Sequence, residues 1–145
     1  MFFKDEAQRV AGELASQKIS LVTLEGPLGA GKTTFTKALL QTLGYDSAKV
    51  QSPTFLKLLE YRVPDFGLVL HLDGYRMESL EAYEKLGLEH YLEAKLWIVE
   101  WPELFINYLR HRPELRTVLG IEKFLKIEIK TVGEKRTLSL NPASF

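Results

Sequence analysis

The sequence contains no cysteine, which excludes a disulfide framework and any cysteine-built metal site and suits a reducing compartment. It also lacks long hydrophobic runs. The N-terminus turns charged at Lys4 without the apolar core of a secretion signal, and no later stretch approaches the ~18 consecutive apolar residues of a membrane span. A soluble, cytoplasmic protein with no membrane partner is expected. Net charge is missing as well: 19 Lys and Arg face 19 Asp and Glu. A chain that holds DNA through a global positive field is therefore not expected. Internal repeats, low-complexity tracts and linkers are absent too.

What is present is a chain of 145 residues, 46% of them hydrophobic, which suits one ordinary domain able to bury roughly two-thirds of its unfolded surface. The charge is unevenly spread. Between Glu78 and Glu93 there are five acidic side chains and one basic, whereas Arg110 to Arg136 carries eight basic and four acidic. Such runs read as solvated faces or as a polarised docking surface.

The most informative stretch is Gly26-Pro27-Leu28-Gly29-Ala30-Gly31-Lys32-Thr33, which fits G-x-x-x-x-G-K-[ST], a phosphate-binding loop. Its context fits as well. Lys4 to Gln17 places Ala7, Val10, Ala11, Leu14 and Ala15 at helical spacing, and "ISLVTLEG" is a buried-strand run before the loop. A helix starts at Lys32 and stops at Gly44. In this arrangement the backbone N–H groups of Gly29, Ala30, Gly31, Lys32 and Thr33, at the positive end of the helix dipole, point at phosphate oxygens. Thr34 continues the cradle. Lys32 is expected to reach the β and γ phosphates, and the Thr33 hydroxyl to bind Mg²⁺.

A phosphate cradle needs a carboxylate for the metal and a group to aim water. Two apolar runs end in acids, "LVLHLD" at Asp73 and "LWIVE" at Glu100, and the carboxyl ends of strands are where an α/β sheet collects its ligands. His71 and Trp97 alternate with the neighbours of these acids and read as packing behind the site. Trp101 packs on a base, on the sheet or on a partner. Further along, "ESLEAYEKLG" reads as a helix starting near Glu78 and stopping at Gly87, and Pro102 opens another through about Leu109. "FLKIEIKTVGEKRTLSL" reads as a terminal hairpin turning at Gly133.

The set "GPLGAGKTT", "SPTF", "HLDGYR" and "VEWPE", in that order between Glu25 and Glu103, resembles the TsaE family, small P-loop ATPases of the bacterial pathway that installs threonylcarbamoyladenosine next to the tRNA anticodon. The resemblance implies an α/β P-loop NTPase fold; with the N-terminal helix and the terminal hairpin read from the residues, one such domain over residues 1–145 is expected, a mixed central sheet flanked by helices with a C-terminal β-hairpin. ATP and Mg²⁺ are the implied cofactors, with ATP favoured over GTP also because no NKxD-like guanine motif is present. Thr54, in "SPTF", maps to a switch residue near Mg²⁺ and the γ-phosphate. Asp73 and Glu100 map to acids that matter for Mg²⁺-dependent hydrolysis, undivided between metal ligand and water-positioner. Arg76 either lies near phosphate or holds the Asp73 loop by an ion pair. The family supports TsaB and TsaD, and meets tRNA indirectly through that complex, without transferring the threonylcarbamoyl group itself. No arginine is placed by sequence as a finger, so hydrolysis by the chain alone is expected to be slow and to rise with the partners.

Two rival readings share the cradle. A small P-loop kinase would add an acceptor pocket and an arginine-rich lid, for which the arginine-dense "RHRPELR" comes late in the chain. A nucleotide-gated binding protein would use ATP occupancy and hydrolyse it incidentally.

Overall fold

The computed structural model describes residues 3–50 and 58–145. Helix α1 (Lys4–Gln17) buries Ala7, Val10 and Leu14, one stripe at helical spacing, and ends where Lys18 turns left-handed and its N–H returns to the Leu14 carbonyl. Strand β1 (Leu21–Glu25) is buried from Leu21 to Leu24 and feeds the loop. Helix α2 (Lys32–Leu43) ends at Gly44, whose N–H caps the carbonyls of Gln41 and Leu40. Strands β2 (Leu58–Val63) and β3 (Gly67–Asp73) form an antiparallel pair. A 3-10 turn at Gly74–Arg76 leads to α3 (Leu80–Leu86). Its N-cap is Ser79, one residue beyond the expected start, because the Ser79 hydroxyl accepts the Ala82 N–H.

Strand β4 (Ala94–Glu100) is followed by α4 (Glu103–Arg110) and α5 (Pro113–Leu119). Helix α5 is not foreseen by periodicity, since seven residues span only two turns. Its signals are local: Pro113 in the first turn, and Gly120 just past the end at a φ of 73°. Strands β5 (Lys123–Val132) and β6 (Lys135–Ser144) make the expected hairpin. Gly133, with a φ of 64°, takes the first position of its two-residue turn.

All six strands lie in one sheet in the order β2-β3-β4-β1-β5-β6. The inner four, β3, β4, β1 and β5, run parallel, and β2 and β6 add antiparallel edges. Both faces are covered, as a parallel sheet requires. One core joins Val22, Leu24, Val69 and Ile98 to Val10, Phe35 and Leu39 of α1 and α2. The other joins Leu21, Leu70, Trp97 and Val99 to Tyr83, Phe105 and Leu109 of α3 and α4. Successive residues of a strand alternate between these cores. Leu24, Glu100 and Asp73 therefore stand in one row across the carboxyl ends of β1, β4 and β3.

The acidic stretch is partly neutralised within the fold. Glu93 pairs with Arg62, Glu81 with Lys85, and Glu84 with Arg112. The hydrogen bonds from Arg112 and the Tyr108 hydroxyl hold the Glu84 carboxyl below its ordinary value, and burial pushes the Tyr108 phenol up to about 12. No helix is long and apolar enough to cross a membrane among the described residues.

Candidate active site

The loop between β1 and α2 forms one wall of a cleft of about 420 Å³. Its lining includes Gly29, Gly31, Lys32, Thr33 and Thr34 of the loop and helix together with Asp73 and Glu100. Gly29 and Gly31 have φ values of 79° and 107°, a left-handed backbone that lets consecutive N–H groups turn inward. A Cβ on Gly29 would meet nothing within 4 Å, so the loop borders open space wide enough for a ligand to approach its backbone. Of the expected cradle residues, Ala30 is the one that does not line the cleft. Its methyl is buried in the α1–α2 core, and its N–H is committed to the Pro27 carbonyl at 3.1 Å.

Lys32 is only 6% exposed. Its Nζ donates to the carbonyls of Gly26 and Pro27, at 2.7 and 2.9 Å, and lies 4.6 Å from the centre of the Trp101 ring. Burial pushes this ammonium below the ordinary lysine value, and the charges of Glu100 and Asp73 pull it partly back. The lysine therefore already sits in the field of both strand-end acids.

Those acids differ in setting. Asp73 is half-buried and its Oδ1 accepts the Tyr75 N–H at 2.9 Å, which caps the turn that follows β3. Glu100 is 6% exposed, and its Oε2 lies 2.6 Å from Nε2 of the fully buried His71. The expectation that His71 packs behind the site is met, with a polar contact added. The chain then turns sharply: Trp101 adopts a left-handed φ of 51°, rare and costly for a residue with a side chain. That turn places the indole against Tyr75, 5.1 Å between ring centres, and over Lys32. Trp101 is thus part of the cleft wall.

Arg76 lines the cleft, and no Arg76–Asp73 ion pair occurs among the described residues. Arg136 lines it too, and nothing local in the sequence marks it. The β5–β6 register carries it back to the loop, where a Cβ on Gly31 would meet its guanidinium at 3.1 Å and the Phe3 ring at 3.0 Å. The arginines of "RHRPELR" lie elsewhere. Arg112 pairs with Glu84, Arg116 stacks over Phe145, and Arg110 is absent from the lining. Thr54, with the rest of "SPTF", lies outside the described residues.

The residues present suit a nucleotide phosphate and a divalent ion. The described residues contain no group of three or more His, Asp and Glu that could hold a metal ion. Mg²⁺ needs only one or two protein oxygens and completes its shell with phosphate and water. Thr33, Asp73 and Glu100, which all line the cleft, could supply such oxygens.

A parallel-centred sheet with a glycine loop opening a helix, and two strand-end carboxylates lining the same cleft as that loop, defines the P-loop NTPase fold. Residues 3–138 match the family model described as "Threonylcarbamoyl adenosine biosynthesis protein TsaE", and the chain belongs to that family. Curated relatives named tRNA threonylcarbamoyladenosine biosynthesis protein TsaE include one from Rickettsia prowazekii, 37% identical over 126 residues, covering 86% of this chain and 79% of that one. Another from Bacillus subtilis is 41% identical over 115 residues, covering 79% of this chain and 63% of that one. A third from Rickettsia bellii is 37% identical over 90 residues and 62% of each chain. The matches thus span less than two-thirds of the Bacillus subtilis and Rickettsia bellii relatives. A crystal structure of Bacillus subtilis YdiB superposes with a TM-score of 0.59 at 28% identity, covering all of this chain and 83% of that one.

Proposed function

We propose that the chain is a Mg²⁺-dependent ATPase that binds the TsaB–TsaD complex and supports threonylcarbamoyladenosine modification of tRNA, without itself transferring the threonylcarbamoyl group. The observation that carries this reading is the convergence of Lys32, Asp73 and Glu100 on one loop-walled cleft. The loop amides and Lys32 hold the phosphates, and Thr33 with one of the acids holds the metal. Mg²⁺, when bound, neutralises charge on the β and γ phosphates. The other acid orients a water for attack on the γ-phosphorus, and Arg76 and Arg136 add positive charge to the wall.

Turnover by the chain alone is slow, because Lys32 must leave the carbonyls of Gly26 and Pro27 to reach phosphate. Partner docking would favour that exchange. The kinase alternative is less well supported, since the arginines of "RHRPELR" do not line the cleft as a lid would. Steady-state hydrolysis should be measured for the chain alone, with TsaB and TsaD singly, and with both, at matched ionic strength. The expected result is stimulation by the pair. A fast isolated enzyme that the pair leaves unchanged would overturn the assisted-ATPase reading.

A further inference from the structure

His71 is fully buried, yet among the described residues it makes one polar contact, with Glu100. It stands on β3 opposite Ile98 of β4, two residues before Asp73, while Glu100 stands opposite Asp73. Alternation along both strands puts His71, Ile98 and Glu100 on the sheet face that carries α1 and α2. The imidazole thus lies directly behind the carboxylate as seen from the cleft. The 2.6 Å contact leaves the direction of donation to the tautomer; the arrangement that ties the carboxylate most firmly is a charge-assisted bond in which Nε2 carries the hydrogen and donates it to Oε2. Nδ1 is buried with no hydrogen-bond partner among the described residues. Among the described residues the ring is therefore anchored through Nε2 alone.

A buried imidazole with an unpartnered nitrogen costs stability that Leu or Phe at the same position would not. Core packing by itself does not explain it. What the contact supplies is orientation. A carboxylate tied through one oxygen by a charge-assisted hydrogen bond cannot turn freely about its last torsion. With Oε2 occupied, Oε1 is the oxygen left for the cleft.

We propose that His71 is a positioning residue for Glu100, holding Oε2 through its Nε2–H so that Oε1 is presented to the metal–phosphate site. Its consequence for turnover rests on the ATPase reading above, whereas the contact itself can be tested without nucleotide. In the apo protein, long-range ¹⁵N–¹H correlation spectra should show His71 as the Nε2–H tautomer with a slowly exchanging proton. Glu100→Gln should move that resonance more than Asp73→Asn does. A Nδ1–H tautomer, or a rapidly exchanging proton, would overturn the proposal.

The kinetic arm is a double-mutant cycle under single-turnover conditions, with melting curves to verify folding. Loss of a hydrogen bond that orients a functional ligand costs about 10- to 100-fold. His71→Leu should lower kcat on that scale with KM for ATP nearly unchanged, and His71→Gln, which restores an N–H donor, should recover most of it. In a Glu100→Gln background, His71→Leu should add less than about twofold. Equal losses in both backgrounds, or no recovery in His71→Gln, would assign His71 to packing alone. If the wild-type chain and its complex hydrolyse no ATP, the ATPase reading fails while the spectra still decide the positioning role. If His71→Leu does not fold, His71→Gln and the spectra carry the test.

Discussion

Gly74→Ala probes the contact that ties the two halves of the acid pair together. Gly74 is buried at the start of the 3-10 turn after Asp73, and its φ is not left-handed, so alanine adds a steric cost without a backbone one. The new Cβ would lie 2.9 Å from the Glu100 carbonyl oxygen and 2.9 Å from the Tyr83 hydroxyl, and closer still to the carbonyl of Trp101. Ordinary contact begins near 3.4 Å. Two of the three obstacles are backbone at the end of β4, so the turn must retreat by roughly 1 Å. Overpacking of this kind costs about 1–3 kcal/mol. At roughly 4 °C per kcal/mol, the melting temperature should fall by about 4–12 °C. The same retreat moves Asp73, whose carboxylate caps the turn through the Tyr75 N–H. A displacement of ~1 Å between reacting groups costs on the order of 100-fold in rate. Circular-dichroism melting and single-turnover hydrolysis measure both effects. Gly12→Ala is the control: in α1 its Cβ would meet nothing within 4 Å, and it should stabilise by about 0.5–1 kcal/mol. Wild-type melting and turnover in Gly74→Ala would refute the close packing of the Gly74 turn on Glu100 and Trp101.

Lys32→Ala removes a charge-assisted phosphate contact worth about 1.5–3 kcal/mol, so calorimetric titration should show ATP affinity reduced roughly 10- to 100-fold; unchanged affinity would remove the loop from the account. Asp73→Asn and Glu100→Gln should each lower single-turnover hydrolysis by about 100-fold, with nucleotide binding less affected. A wild-type rate would return that acid to a structural role. Arg136→Ala should weaken ATP binding by about tenfold, as expected for one lost arginine–phosphate contact, and unchanged affinity in calorimetric titration would remove Arg136 from the phosphate wall. The Lys32 ammonium is depressed in the folded state, so between its folded value and the ordinary 10.5 the unfolded chain binds more protons. Stability from this group therefore rises with pH across that window. Paired alkaline melting curves should show the wild type gaining on Lys32→Met as pH increases, and a constant difference would refute the burial effect.

Much of this protein is legible residue by residue because the controlling interactions are short-range. The loop from Gly26 to Thr33, the apolar stripe of α1, the stops at Gly44 and Gly87 and the turn at Gly133 follow from backbone preference and periodicity over a few residues. The carboxylates at the ends of β3 and β4 are visible for the same reason, as acids that close apolar runs. Short α5 was not visible by periodicity, and the burial of the Ala30 methyl depends on how α1 and α2 pack. Strand order is a different matter. The placement of β3 beside β4, which sets Asp73 opposite Glu100 and His71 behind it, depends on which strand faces are buried together. No local preference encodes that choice. The β5–β6 register likewise brings Arg136 to a loop more than a hundred residues earlier, whereas Arg112 and Arg116 of "RHRPELR" are drawn to Glu84 and Phe145 and lie outside the cleft lining. The sequence by itself determined a phosphate loop and two acids at strand ends. Only the tertiary structure decided that they share one cleft, that Glu100 is held from behind by His71, and that Trp101 and Arg136 complete its walls. Those are pairings between distant segments, selected by burial of the sheet's two faces rather than by the conformational preferences of any one segment.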